Sequence, residues 1–110
     1  MLDLMAVHRQ LNIKQRELET RLTLLHSDQR RASGPLPKDS EDRAQAMEND
    51  EVIDALTEEA EGELQQIRHA MVRIKQGEYS QCEVCGEEID HDRLKAVPST
   101  SVCFHCANQN

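Results

Sequence analysis

Residues 34–44, Gly34-Pro35-Leu36-Pro37-Lys38-Asp39-Ser40-Glu41-Asp42-Arg43-Ala44, stand between two long stretches of heptad-spaced apolar residues. Two prolines and a glycine in four positions forbid one continuous helix, because proline lacks the N–H that a helix interior uses and its ring clashes with the preceding turn. The second half of the segment is an N-terminal signal: Asp39 or Ser40 is a natural cap, and the helix dipole favours a carboxylate such as Asp42 in the first turn. Taken by themselves, these residues read as a polar turn followed by a cap.

Working outward, Leu4, Leu11, Leu18 and Leu25 fall seven apart, with Val7 and Leu22 on the same stripe. That spacing predicts a helix of roughly 28 residues, a rod of about 40 Å at 1.5 Å per residue. Arg30 and Arg31 suit its negative end, and Gly34-Pro35 stops it. On the other side Ala46, Ile53, Ala60, Ile67 and Ile74 repeat at the same interval, flanked by Leu56, Leu64, Ala70 and Met71. This second helix is expected from about Ser40 to about Gln76, with Gly77 ending it. Gly62 inside it costs about 1 kcal/mol against alanine and marks a soft spot.

A linker of about eight residues is short enough to fold the two seams back on each other as an antiparallel hairpin. Paired in reverse, Leu4 meets Ile74, Leu11 meets Ile67, Leu18 meets Ala60 and Leu25 meets Ile53, which puts the apex near residue 39. Charge agrees: residues 1–38 carry seven Lys/Arg against four Asp/Glu, whereas residues 39–79 carry four against twelve. The same heptads would also support an intermolecular coiled coil, but the break at residues 34–37 favours the hairpin, and a monomer is expected.

Beyond the hairpin, Cys82-Glu83-Val84-Cys85 and Cys103-Phe104-His105-Cys106 form two CxxC pairs seventeen residues apart. This is a zinc spacing: each tight turn brings two sulfurs to one ion, and Gly86 can take the positive φ that closes the knuckle. Four thiolates leave no open coordination position, so the Zn²⁺ would be structural. Three other readings compete. Two disulfides would suit a secreted chain, a redox CxxC would need a βαβ setting, and His105 or His91 could replace one sulfur. No signal for export or βαβ pattern is visible, and two matched cysteine pairs need no histidine. The apolar residues of the tail, Tyr79, Ile89, Leu94, Val97, Val102 and Phe104, are too few to fold it without metal.

Bulk properties narrow the function. At 110 residues, with one Tyr, one Phe, no Trp and 31% charged residues, there is material for one domain without a thick core. The formal net charge is -8 and the mean hydropathy -0.73. Between Cys82 and Cys106 lie five acids against Arg93 and Lys95, and zinc held by four thiolates adds two further negative charges. Direct DNA or RNA binding is disfavoured, since it rests on basic surface. No apolar run would span a bilayer and no secretory signal is seen, so a cytoplasmic location is expected. No Ser, His or Cys triad is apparent and every cysteine is committed to metal, which argues against an enzyme.

The segment 77–106 resembles the DksA/TraR family of bacterial transcription regulators in Gly77, Tyr79, both CxxC pairs, Gly86, Ile89, Arg93-Leu94, Ala96 and Pro98. With the hairpin before it, the resemblance covers nearly the whole chain. It implies a mainly α fold: a long antiparallel coiled coil (residues 1–77, tip at about 34–44) followed by a four-cysteine zinc finger and a short C-terminal helix (residues 78–110). It further implies a regulator that docks on RNA polymerase and sends the coiled-coil tip down the secondary channel toward the active site. The family's tip motif, Asp-x-x-Asp-x-Ala, is met by Asp39, Asp42 and Ala44, at the apex that the heptads had indicated. The competing expectation is a zinc-stabilised coiled-coil adaptor for another protein, in which the tip acids would be irrelevant.

Two departures qualify the resemblance. The sequence starts at the coiled coil, without the N-terminal segment of longer members, so docking geometry is expected to differ. Longer relatives sense guanosine tetraphosphate through basic residues, where this chain has Glu59, Glu63, Gln66, Val97 and Ala107. A weak or absent response to that nucleotide is expected.

Overall fold

The computed structural model describes residues 3–32 and 40–108, with side chains described over 3–29 and 46–108. Four helices follow in order: α1 Leu4–Ala32, α2 Ser40–Gln76, α3 His91–Ala96 and α4 Phe104–Ala107. The two long helices pack together, and among the described residues the only β feature is an isolated antiparallel bridge between Gln81 and Glu88. The expected limits of the second helix, Ser40 and Gln76, are those observed. One short helix was expected after the hairpin, and the structure has two, α3 and α4.

Both ends of the hairpin's described parts have local causes. Asp3 caps α1: its Oδ1 accepts the N–H groups of Met5 at 3.1 Å and Ala6 at 3.2 Å, and its carbonyl accepts that of Val7. At the end of α2, Gly77 adopts φ +73°. Its N–H bonds the Ile74 carbonyl at 3.2 Å while the Glu78 N–H bonds the Arg73 carbonyl at 2.9 Å. These two bonds are the Schellman pattern, for which the left-handed glycine is the enabling residue.

The chain divides into two compact units, Met1–Gln15 with Gln65–Asn110, and Arg16–Leu64. Within the unit Arg16–Leu64 the buried seam consists of Leu18, Leu22 and Leu25 from α1 with Thr57, Ala60 and Leu64 from α2. The Gln29 amide donates to Asp54 at 2.7 Å and His26 meets Glu61 at 3.2 Å. One number rises as its partner falls, which is the antiparallel signature. Within the other unit Leu11, Ile67 and Ala70 are buried together with Arg73, Tyr79, Cys82, Ile89, Leu94 and Thr100. Each large side chain so enclosed contributes about 1.5–3 kcal/mol.

The seam departs from the expected stripe at Leu56, and its outer end at Leu4 is only partly covered. Leu56 is 46% exposed and its neighbour Thr57 is buried instead, because the α2 seam alternates steps of three and four through 53, 57, 60, 64 and 67, and residue 56 falls about 100° round the helix. The Thr57 hydroxyl is satisfied by donating to the Ile53 carbonyl at 2.7 Å. Leu4 is 42% exposed, since it borders an open recess of about 330 Å³ that it shares with Ile74, its expected partner, and with Gly77 and Tyr79. Gly62 leaves α2 uninterrupted.

Candidate metal centre

The Schellman turn delivers the chain to Tyr79, and from there two short hydrogen-bonded segments build the first knuckle. The Ile89 N–H bonds the Ser80 carbonyl and the Cys82 N–H bonds the Glu87 carbonyl, both at 2.7 Å. Between them the Gly86 N–H reaches the Cys82 carbonyl at 3.0 Å, with Gly86 at φ +78°. A Cβ there would meet nothing within 4 Å, so the glycine is required by its backbone angle and not by lack of room.

The second knuckle is brought back by α3 and the loop after it. Asp90 caps α3 and Leu94 points inward, 2% exposed, beside the fully buried Ile89 and Tyr79. The Tyr79 hydroxyl donates to the Pro98 carbonyl at 2.7 Å. The Arg93 guanidinium donates to the Val102 carbonyl at 2.9 Å and to the Thr100 hydroxyl at 3.3 Å, and Thr100 itself donates to the Val102 carbonyl. With the Glu83 N–H bonded to the Ser101 carbonyl at 2.8 Å, these contacts hold Cys103 against the first knuckle at the start of α4.

The result is one cluster: the Sγ atoms of Cys82, Cys85, Cys103 and Cys106 all lie within 4.8 Å of one another. Cys85 and Cys103 are 3.7 Å apart between sulfurs. A tetrahedron with sulfurs about 2.3 Å from a central zinc has edges of about 3.8 Å, so the set fits that ion. The same spacing is well beyond the roughly 2.05 Å of an S–S bond. The Cys103 N–H points at the Cys82 sulfur from 3.3 Å, a donor that favours a thiolate. Neither His105 nor His91 is needed to complete the four-sulfur set, and His91 lies instead 3.8 Å from the Glu88 carboxylate.

Electrostatics divide the thiols. Cys82 is held down to about 6, chiefly by the N–H of Cys85, with burial opposing and the N–H groups of Cys103 and Val84 assisting. Cys106 is pushed up to about 12, chiefly by burial and then by the neighbouring thiols. One sulfur is thus ready to ionise and another resists until a cation arrives; bound zinc would supply the charge that makes all four thiolates. Outside the ligand set, His69 on α2 bonds the Glu83 carboxylate. That bond, followed by one from Ser101, holds Glu83 below the usual carboxylate range. The Arg73 side chain donates to the carbonyls of Glu78 and Gln81. Neither residue was singled out from sequence; their signal is only that positions 69 and 73 are one helical turn apart just before the finger.

Of the expected tip, Asp39 lies outside the described residues. Asp42 and Ala44 belong to α2, but their side chains lie outside the described set.

The comparisons with known proteins agree with this arrangement over both parts of the chain. Residues 77–109 match the model of the prokaryotic dksA/traR C4-type zinc finger. Residues 8–74 match the DnaK suppressor protein-like N-terminal domain. The chain belongs to the DksA/TraR family. Its four cysteines are accordingly the site for one zinc ion. The solution structure of a DnaK suppressor protein from Agrobacterium tumefaciens is similar at 39% identity and a TM-score of 0.67, over 97% of this chain and 93% of that one. The transcription factor DksA2 from Pseudomonas aeruginosa is similar in fold, with a TM-score of 0.80 at 24% identity, over 96% of this chain and 81% of that one. A protein of Aquifex aeolicus is 40% identical over 73 residues, which are 66% of this chain. The chain spans about half the length of that curated relative.

Proposed function

We propose that this chain is a transcription regulator of the DksA type that binds RNA polymerase through the secondary channel and alters initiation with its acidic tip, Asp39, Asp42 and Ala44. The observation that carries the reading is that the family match runs through the helices as well as the finger, residues 8–74 and 77–109. Residues 1–77 serve as the probing coiled coil and residues 78–110 as its zinc-bound base. The protein works as a monomer in the cytoplasm, where polymerase is found, and has no catalytic role of its own. No helix among the described residues is long and apolar enough to cross a membrane.

The physical logic is electrostatic. A polymerase active site concentrates Mg²⁺, incoming phosphates and basic loops, so carboxylates carried to it on a stiff helical support compete for the same cations. Alanine at position 44 adds no more than a methyl group to the tip. The acidic finger, with five carboxylates between Cys82 and Cys106, makes contact with protein and not with promoter phosphate. Glu59, Glu63 and Gln66 on α2 offer no cation to guanosine tetraphosphate, which should act weakly or not at all.

The test is reconstituted transcription from a promoter with an unstable open complex, comparing wild type with Asp42→Asn. The variant should bind polymerase as wild type does and lose its effect on transcript yield. A wild-type chain that neither binds polymerase nor changes transcription would leave the adaptor reading, in which the finger and helices serve another protein partner.

A further inference from the structure

Among the described residues Arg73 is the only charged side chain in the buried set, 3% exposed. A buried cation is costly unless a carboxylate neutralises it and its donors are satisfied. Arg73 meets neither condition through ordinary partners. Its Nη2 donates to two neutral carbonyls, that of Glu78 at 2.7 Å and that of Gln81. Its Nη1 is buried with no acceptor. The acid whose ionisation its field favours, Glu83, bonds instead to His69.

What Arg73 holds explains its position. Glu78 and Gln81 bound the turn that leads into Cys82, and Gln81 pairs with Glu88 across the knuckle. The Cys82 N–H then closes onto the Glu87 carbonyl. One guanidinium therefore fixes both ends of the segment that aims the first cysteine. Zinc with four thiolates carries two net negative charges, which add to the field of the Glu83 carboxylate. We propose that Arg73 is the positioning residue of the zinc site: its Nη2, donating to both carbonyls, clamps residues 78–81 so that Cys82 enters the tetrahedron, and its buried charge is tolerated because the loaded site is anionic. A lysine would keep the charge but present it as a compact tetrahedral ammonium, without the planar amino group that meets both carbonyls.

The inference is independent of what the protein regulates and is tested on the full chain. Zinc affinity is measured by competition with a chromophoric chelator for wild type, Arg73→Met, Arg73→Lys and His69→Gln. Cobalt(II) absorption reports the geometry of the four-sulfur site, and the far-ultraviolet melting curve of each metal-free chain reports its helices. Arg73→Met should weaken zinc binding about 10- to 100-fold, the range usual for groups that orient metal ligands. Arg73→Lys should fall between it and wild type with an altered cobalt spectrum. His69→Gln, whose contact is half exposed, should bind nearly as wild type does, and all metal-free melting curves should coincide. Wild-type affinity in a folded Arg73→Lys or Arg73→Met chain overturns the proposal. So does a loss of affinity matched by an equal loss of metal-free helix stability, which would make Arg73 an ordinary packing residue. If Arg73→Met fails to fold, the lysine variant decides.

Discussion

Cys82 and Cys106 carry the same thiol but sit at opposite ends of a titration, about 6 and about 12. Both shifts belong to the folded finger, since N–H groups lower one and burial raises the other. Once chelation unfolds it, thiolate absorbance followed against pH should rise in a single step in the ordinary thiol range, about 8.5. A rise beginning near pH 6 would mean that the finger keeps its fold without metal. In the folded finger the depressed value at Cys82 contributes stability above the ordinary thiol pKa, and that contribution is lost as pH falls through about 6. The ligands themselves were legible, because a CxxC turn and its closing glycine are local geometry written in adjacent residues. Arg73 was not. A cation in the last turn of a helix normally points to solvent and serves the dipole, and only the chain returning over it through residues 78–82 buries it.

At the scale of elements, both long helices were legible in their heptads and stop signals, since periodicity and capping act within a few residues. The exact stripe was not: Leu56 has the more apolar side chain, yet Thr57 lies in the seam. A helix rotates as a unit to bury its best overall face, and the neighbouring Ala60, Leu64 and Ile67 set that rotation. Gly62 is the element's clearest defect. It sits inside α2, its missing Cβ would meet nothing within 4 Å, and its φ is not left-handed. Gly62→Ala should therefore stabilise the chain by about 1 kcal/mol through helix propensity alone, seen as a higher midpoint in urea or heat. A lower midpoint would mean that the glycine serves a bend or a close approach absent from this structure.

For the molecule as a whole, the two compact units rest on different forces. Arg16–Leu64 is held by Leu18, Leu22, Leu25, Ala60 and Leu64, none of them near a metal ligand in sequence. The finger has only Tyr79, Ile89 and Leu94 as large buried apolar side chains, which is too little to fold some thirty residues unaided. Stripping zinc with a chelator should unfold residues 78–108 while helicity falls little, since α3 and α4 hold six and four residues against 29 and 37 in α1 and α2. Circular dichroism together with amide hydrogen exchange separates the two; full loss of helicity on chelation would mean the helices depend on the metal.

The chain contains no tryptophan and a single tyrosine, and that tyrosine is Tyr79, 2% exposed with its hydroxyl on the Pro98 carbonyl. Its intrinsic fluorescence is therefore a native optical tag for the base of the finger, free of any engineered label.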